Sequence, residues 1–406
     1  MILKEIIYLI NVLNKGANNA KIRALLASCL CFIAIGISAK KHYNPVGKNF
    51  PIVAWYALDD KHNTEDDYRI LENCGFNLAI SFFSDENNVL KAVRAAQGTG
   101  IKLVVNHYNS LRRCDRKGEY ANIAMFYAGD EPTLEEFPIF KKRIDYIKEF
   151  NSKNIAYVNL LPIYASLSSL GVYSYEDYIV NFLELSKSPF FSFDFYPFVD
   201  NEHRTGYFSN LEIARSISQK LDIPFWGFVM AGVNNRYLST NEAKMRYQVF
   251  CNIAYGAQGI QYFPYSVPKG YYSSILDIDY KPTITYEIVR KINEDIHKIT
   301  KYILGARNHV VFHLGDSKSK DTSSICTLTR FFPIDDIEGK EIRMLSSVFE
   351  NGRKKYLMLV NEDYEKKREV VIKFKKKINW VYESKNVVDK EVKTTIVPGG
   401  YLLFEY

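Results

Sequence analysis

The sequence predicts a (β/α)8 barrel followed by a small antiparallel β-sandwich, and three observations lead to this prediction. Eight short apolar runs alternate with amphipathic helical patterns between about residues 50 and 305. Side chains that cap helices stand at the start of several of these patterns. Beyond residue 305 the helical patterns give way to short strand-like runs separated by polar turns. Repetition of strand, loop and capped helix is typical of a barrel.

The eight apolar runs are rich in β-branched and aromatic residues, as expected of parallel strands buried on both faces. They are Ile52–Ala57, Phe76–Phe83, Ile101–His107, Ala124–Gly129, Ile155–Leu161, Phe190–Tyr196, Ile223–Met230 and Gly259–Tyr265. The stretches between them are long enough for crossover helices. A doubly wound open sheet is the main alternative, but no glycine-rich phosphate loop follows the first run.

Capping boxes or close variants mark four helix starts. They are Thr64–Asp67, Thr133–Glu136, Ser174–Asp177 and Ser239–Glu242. The eighth helix is predicted from about Thr283 to Leu304, with Gly305 as a left-handed cap. We therefore assign residues 50–305 to the barrel and residues 306–406 to the sandwich.

The C-terminal strands are predicted from short apolar or alternating runs between Gly, Asp, Asn and Lys turns. They are His309–Leu314, Ile325–Leu328, Glu341–Val348, Lys355–Val360, Glu369–Phe374, Trp380–Ser384 and Tyr401–Phe404. No long linker separates them from the barrel, so we expect the two domains to pack together.

Composition and charge limit the partners that the chain is expected to have. The 406 residues are 47% apolar and carry a formal net charge of +7. Lysine-rich runs at 366–368 and 373–377 are interpreted as solvated strand faces and turns, since no nucleic-acid-binding motif accompanies them. We expect a monomer that does not bind nucleic acid.

Residues 1–39 are predicted to be a targeting segment. Lys21 and Arg23 precede an apolar run from Ala24 to Ala39, which is too short to span a bilayer comfortably. Cleavage after Ser38 is one interpretation. A lipobox that makes Cys29 a lipidated N-terminus is a second, and a membrane-anchor helix is a third. Each predicts export to the periplasm, the cell surface or the medium.

Cysteine and histidine spacing gives no sign of a metal or cofactor site. Outside the targeting segment the cysteines are Cys74, Cys114, Cys251 and Cys326, with no CxxC pair among them. The histidines of the predicted barrel loops, His62, His107 and His203, show neither HxH nor HExxH spacing. We therefore expect neither a metal nor a cofactor, and we interpret Cys74 and Cys251 as small core residues.

Acidic residues follow two of the predicted barrel strands at the end where barrel active sites lie. Asp130 and Glu131, followed by Pro132, end strand four, and Asp194 lies near the end of strand six. Two carboxyls at a barrel mouth can divide the work of general acid and base, or of acid and nucleophile. The competing interpretations are that Asp130 and Glu131 only favour the dipole of the next helix, and that Asp194 is a buried structural carboxylate.

Other side chains near strand ends are candidates for contacts with a polyhydroxylated substrate. Asn106, His107 and Asp130 are placed to bind hydroxyl groups. Five aromatic residues are candidates for stacking on a sugar ring, namely Trp55, Tyr196, Trp226, Tyr262 and Tyr265. The competing interpretation for these aromatics is core filling, and it is strongest for Trp226, in mid-strand.

Asp130-Glu131-Pro132 resembles the Asn-Glu-Pro acid/base motif of clan-A glycoside hydrolases. Further segments resemble the bacterial β-galactosidase-like and cellulase-like members of that clan, namely residues 224–228, 255–263, 357–362 and 398–404. The resemblance covers about residues 50–406. It implies a glycosidase that cleaves a β-linked oligo- or polysaccharide, with Glu131 as general acid.

One departure from the clan pattern leaves the second carboxylate open. Retaining members carry a nucleophilic Glu at the end of strand seven, but residues 223–230 contain no carboxylate. Asp194 is one candidate, and Asp200 or Glu202 from the following loop is another. The remaining alternative is a cell-envelope barrel that binds glycans without cleaving them. A metal-dependent hydrolase is disfavoured by the histidine spacing.

Overall fold

The computed structural model describes residues 42–315, 332–381 and 388–406. The predicted targeting segment, including Cys29, lies outside the described residues, as do Cys326 and the predicted strand Ile325–Leu328. In the described ranges, no helix has the length and apolar character needed to cross a membrane.

Eight parallel strands form the barrel within residues 42–315. They are β1 Ile52–Trp55, β2 Leu78–Ile80, β3 Lys102–Val105, β4 Ile123–Asp130, β5 Ala156–Asn159, β6 Phe191–Phe193, β9 Phe225–Met230 and β10 Ile260–Phe263. Their order is β5-β4-β3-β2-β1-β10-β9-β6, and a parallel bridge between Leu160 and Phe193 joins the two ends. Each predicted apolar run overlaps one of these strands, so the predicted barrel is confirmed.

Helices follow the strands and cover the outside of the barrel. They are α1 Glu65–Asn73, α2 Glu86–Ala95, α3 Phe137–Lys148, α4 Leu167–Leu170, α5 Tyr175–Ser186, α6 Tyr207–Leu221, α7 Glu242–Ala254 and α8 Ile284–Ile303. Thr64 and Thr133 form the predicted capping boxes, and the Ser174 hydroxyl accepts from the backbone of Asp177. The cap of α7 is Asn241 rather than Ser239, since the Asn241 side chain accepts from the Lys244 backbone N–H. Between β6 and α6, β7 Phe198–Val199 and β8 Glu202–His203 form a small antiparallel hairpin.

The C-terminal domain is an antiparallel sheet that folds over its own apolar core. Its strands are β11 Arg307–Gly315, β12 Ile334–Gly339, β13 Arg343–Asn351, β14 Lys354–Asn361, β15 Arg368–Trp380, β16 Val388–Ile396 and β17 Tyr401–Glu405. The long β15 pairs with β12 and β16 along most of its length and with β17 at its end, after a register shift. Residues from every strand then enclose one core, as in the predicted sandwich.

The strands β12 and β16 were not predicted because they carry many charged side chains and no continuous apolar run. Trp380, the start of a predicted strand, is instead the last residue of β15, and residues 382–384 of that prediction lie outside the described residues. The barrel and sandwich share an apolar cluster, in which the ring of Phe250 on α7 lies 4.1 Å from that of Tyr401 on β17. Cys74 and Cys251 are fully buried, as expected of core residues.

Candidate active site

The segment that follows β4 takes an unusual backbone path. Gly129 has φ +146° and Glu131 has φ +48°, a left-handed conformation that costs a non-glycine residue roughly 1 kcal/mol or more. The Glu131 N–H donates a 2.9 Å hydrogen bond to the Asn159 carbonyl, and the Tyr178 hydroxyl donates one of 2.6 Å to the Pro132 carbonyl. These contacts hold the strained turn in place.

Asp130 and Glu131 do not belong to the first turn of the next helix. Asp130 is the last residue of β4, and the capping residue Thr133 follows two residues after Glu131. The interpretation that the two acids only complement a helix dipole therefore fails. Both side chains are exposed at the C-terminal end of the barrel.

Asp194 lies directly after β6, and Asn159 at the end of β5 connects it to the β4 acids. The Asn159 Nδ2 donates a 2.9 Å hydrogen bond to Oδ1 of Asp194 and also bonds the Asp130 carboxyl. The Asp194 carboxyl is further hydrogen-bonded to that of Glu131. Three carboxyls, two from the end of β4 and one from the end of β6, thus meet at the barrel mouth.

Crowding at the mouth raises the proton affinity of Asp130 and Asp194. Burial raises the pKa of Asp194 well above its usual range, and the charges of Glu131 and Asp130 add to the effect. Desolvation, with the Glu131 charge second, raises the pKa of Asp130 to about 7. Water reaches Asp130 from the mouth, but protein surrounds the carboxyl on its other sides. The cluster therefore keeps protons near neutral pH, as a general acid must.

Asp200 and Glu202, the other candidates for the second carboxylate, lie on the hairpin between β6 and α6. Both side chains are exposed, and Asp200 sits in the turn of that hairpin with φ +53°. The charges that act on Asp194 are those of Glu131 and Asp130. The geometry therefore favours Asp194 as the partner of Glu131.

A buried hydrogen-bond network lies beneath the acids and includes Trp55. The Gln261 side chain accepts from Tyr157 at 2.6 Å and from the Trp55 indole at 3.3 Å, and it donates to Ser192 at 3.0 Å. Ser192 donates a 2.6 Å bond to the Oδ1 of Asn159. Trp55 is only 3% exposed and is bonded into this network, so it supports the floor of the site and does not offer a stacking face.

Three other aromatic residues proposed for substrate stacking lie away from the mouth. Tyr262 and Tyr265 are fully buried between the barrel and its helices, each within 5.5 Å of the Phe76 ring. Successive side chains of a strand point to opposite faces, and Gln261 points into the barrel, so Tyr262 points outward. Trp226 is the second residue of β9, at the opposite end of the barrel, where it stacks on Phe190 at 4.4 Å. All three predictions of sugar contact are wrong, and core filling explains these residues.

The remaining predicted residues do lie around the mouth. Asn106 donates to the Phe83 carbonyl at 2.8 Å, while its buried Oδ1 has no partner among the described residues. His107 beside it is exposed. Tyr196 is mostly buried, stacks with Phe263 and feels the Asp194 charge. Their roles toward a substrate stay predictions.

Several residues of the mouth were not identified from the sequence. A tyrosine rim surrounds the acids, and each member has a pKa raised by burial together with the charges of the site. Its members are Tyr127, Tyr164, Tyr237 and Tyr271. Arg204, after β8, lies against Tyr164. Of these residues, only Asn159 could have been identified from its local sequence, because it is a polar residue at the end of the buried run Ala156–Asn159.

The fold places the protein in the class of (β/α)8 barrels that carry a C-terminal antiparallel β-domain and a carboxyl cluster at the mouth. No protein-family model matches the chain, and no curated protein sequence matches it. A solved structure of a GH42 β-galactosidase catalytic mutant from G. stearothermophilus superposes with a TM-score of 0.58 and 9% identity, covering 90% of this chain and 100% of that one. An endo-β-1,4-mannanase from Thermotoga petrophila gives 0.41 and 11% identity, covering 88% and 98%. The galactosidase likeness confirms the predicted fold, a (β/α)8 barrel with a C-terminal β-domain.

In the part of the chain that the structure describes, no group of three or more His, Cys, Asp or Glu side chains is arranged to hold a metal ion.

Proposed function

We propose that this protein is a glycoside hydrolase that cleaves a β-linked oligo- or polysaccharide with the carboxyl pair Glu131 and Asp194. The observation that carries the proposal is the hydrogen-bonded contact between these two carboxyls, which come from different strands and meet at the barrel mouth. Glycosidic cleavage needs a protonated carboxyl for the leaving oxygen and an ionised one for the sugar carbon or for water. A pair that shares a proton supplies both.

The spacing of the pair favours direct attack on the sugar over attack by an intervening water. Inverting glycosidases separate their carboxyls by about 6.5–9.5 Å to hold a water between them, whereas retaining enzymes use about 5 Å. The Glu131 side chain lies close enough to Asp194 to raise its pKa by charge and by hydrogen bonding, which fits the shorter spacing better. A substrate that enters between them would part them toward the shorter of the two spacings, so we propose retention of configuration.

The distribution of the proton differs from what the clan resemblance implies. The resemblance assigns the acid role to Glu131, but in the free protein burial and two neighbouring charges raise the pKa of Asp194 well above its usual range. Because coupled carboxyls titrate as a pair, the roles are settled only when a substrate is bound. We propose that one of the two protonates the leaving oxygen while the other attacks, with Asp130 and the tyrosine rim binding hydroxyl groups.

Aryl β-glycosides with good and poor leaving groups test both the activity and the roles. Glu131→Gln and Asp194→Asn should each lower the hydrolysis of a 4-methoxyphenyl glycoside by about 10²–10⁴-fold. The variant that lacks the acid should recover on the 2,4-dinitrophenyl glycoside, whose leaving group needs no proton. The other variant should stay inactive on both.

Glu135→Gln is the matched control, since Glu135 is exposed four residues beyond Glu131 and lies outside the carboxyl cluster. Turnover by Glu131→Gln that equals wild type would show that the site is assigned wrongly. Binding of oligosaccharides without hydrolysis by the wild type, across galactosides, glucosides and mannosides, would favour the non-catalytic glycan-binding alternative.

The site of action of the protein is proposed from the sequence alone. The apolar run from Ala24 to Ala39 after Lys21 and Arg23 supports export, with Cys29 as a candidate for lipidation. Fractionation of expressing cells, with a Cys29→Ala variant to test a lipid anchor, would decide between a soluble and a membrane-attached form.

A further inference from the structure

Arg204 is a partly buried cation at the barrel mouth. It follows β8 in the loop between β6 and α6, and its backbone N–H donates a 2.7 Å hydrogen bond to the Pro197 carbonyl. Its guanidinium carbon lies 4.0 Å from the centre of the Tyr164 ring. This stacking fixes the plane of the guanidinium. The side chain also hydrogen-bonds the Tyr164 hydroxyl, while the buried Nη1 has no partner among the described residues.

The guanidinium of Arg204 has no carboxylate partner within 4 Å among the described residues, and its buried Nη1 has no hydrogen-bond partner there. Three other partly or fully buried arginines are paired: Arg112 with Glu149, Arg215 with Glu212 and Arg368 with Asp363. A buried N–H group without a partner is costly, and an external anion that accepts from it would relieve that cost.

Arg204 shares the mouth with the proposed catalytic acids. The Tyr164 ring on which it stacks is 44% exposed and close enough to Asp194 to feel its charge. Tyr237 lies within the field of Arg204, Asp194 and Glu131 together. A sugar that reaches the acids therefore passes beside Arg204.

We propose that Arg204 binds an anionic substituent, a carboxylate or a sulfate, on the sugar that occupies the mouth, so that the protein takes an acidic glycan. This inference rests on the proposed glycosidase function for the position of the sugar. Arginine suits the task because its planar N–H fork matches both carboxylate and sulfate oxygens. The raised pKa values of Asp130 and Asp194 reduce the negative charge that such a ligand meets.

The test measures binding separately from cleavage. Calorimetry in the Glu131→Gln background compares three β-linked tetrasaccharides: an oligouronide with carboxylates, a sulfated galactose oligomer, and a neutral galactose oligomer. We expect one acidic ligand to bind at least about tenfold more tightly than the neutral one, as one charge-assisted contact provides. Which acidic ligand binds identifies the anionic group.

Variants of Arg204 decide whether this residue confers the preference. Arg204→Met, which keeps the length of the stem, should abolish the preference, while Arg204→Lys should keep part of it. Arg353→Met is the control, because it removes the same charge from an exposed turn of the C-terminal domain. Thermal melting checks that each variant is folded.

The inference is overturned if the acidic ligands bind no better than the neutral one, if none binds, or if Arg204→Met keeps the preference. Its failure is separable from failure of the glycosidase proposal. Arg204-dependent binding of an acidic ligand that the wild type never cleaves would retain the anionic subsite and reject the hydrolase. Cleavage restricted to neutral glycosides would do the reverse.

Discussion

The side-chain amide of Asn159 donates a 2.9 Å hydrogen bond to Asp194, and the backbone carbonyl of the same residue accepts one from Glu131. Asn159 thereby holds both members of the proposed catalytic pair from the strand that lies between them. Its own orientation is fixed by Ser192, which links it to the network of Trp55, Tyr157 and Gln261. The relative position of the two carboxyls thus depends on side chains deep within the barrel.

Loss of the Asn159 amide should disturb the pair without unfolding the protein. We expect Asn159→Ala to lower kcat about 10–100-fold, since small displacements of catalytic groups carry costs of that order. In the wild type, hydrogen bonds from Asn159 lower the pKa of Asp194 and of Asp130. Their loss should raise both pKa values, so the acidic limb of the pH–rate profile should move to higher pH.

Asn154→Ala is the control for this change. Asn154 is also fully buried, but it donates to the backbone carbonyls of Arg112 and Ile147, away from the acids. It should lower stability and leave the pH profile in place. A profile that shifts equally in both variants would indicate a general structural effect.

The acid cluster should make the protein less stable as pH rises. Asp130 keeps its proton in the folded state up to a pH of about 7, while in the unfolded chain it ionises near pH 4. The folded state therefore binds more protons between these pH values, and stability falls with increasing pH across that window. The raised pKa of Asp194 acts in the same direction.

Asp130→Asn and Asp194→Asn should accordingly raise the Tm at pH 7.5 by about 1–3 °C relative to wild type, and have little effect at pH 4. Scanning calorimetry at both pH values measures this. Glu184→Gln on the exposed face of α5 provides the control and should show no such dependence. Destabilisation by both Asn variants at pH 7.5 would contradict the assigned electrostatics.

Trp226 tests the distinction between core and mouth. Because it is buried at the end of the barrel opposite to the acids, Trp226→Phe should cost about 1–3 kcal/mol in the free energy of unfolding and leave kcat/KM unchanged. Tyr164→Ala, at the exposed rim, should do the opposite, raising KM with little loss of stability. Urea unfolding and steady-state kinetics on both variants provide the comparison.

Gly129 should tolerate no side chain. A Cβ at this position would lie 2.5 Å from the Phe140 ring, and φ +146° is itself unfavourable for other residues. We expect Gly129→Ala to destabilise the fold by about 2–4 kcal/mol and to impair activity, because Asp130 and Glu131 follow it directly.

Gly352→Ala separates the two causes, since Gly352 also has a positive φ (+63°) but nothing within 4 Å of an added Cβ. It should cost only about 1 kcal/mol of backbone strain. Equal losses in thermal melts of the two variants would mean that the Phe140 contact contributes nothing.

The sequence by itself determined the order of the barrel elements and the approximate position of each barrel strand. Apolar runs bounded by capping residues are local signals, because burial on both faces and unsatisfied helix N–H groups depend on nearby residues. The strands β12 and β16 were not predicted because they have no continuous apolar run; they are strands because they pair with β15. The position of Asp130, Glu131 and Asp194 at strand ends followed from the same local reasoning.

Only the tertiary structure decided which side chains face the mouth and which meet. Inward or outward direction changes with every residue along a strand, so a short apolar run cannot reveal that Tyr262 faces the helices while Gln261 faces the interior. The joining of Glu131, Asn159 and Asp194 depends on barrel closure, which brings together residues up to 63 positions apart. The raised pKa values of Asp130 and Asp194 also depend on the tertiary structure, since these carboxyls are desolvated only once the chain has folded.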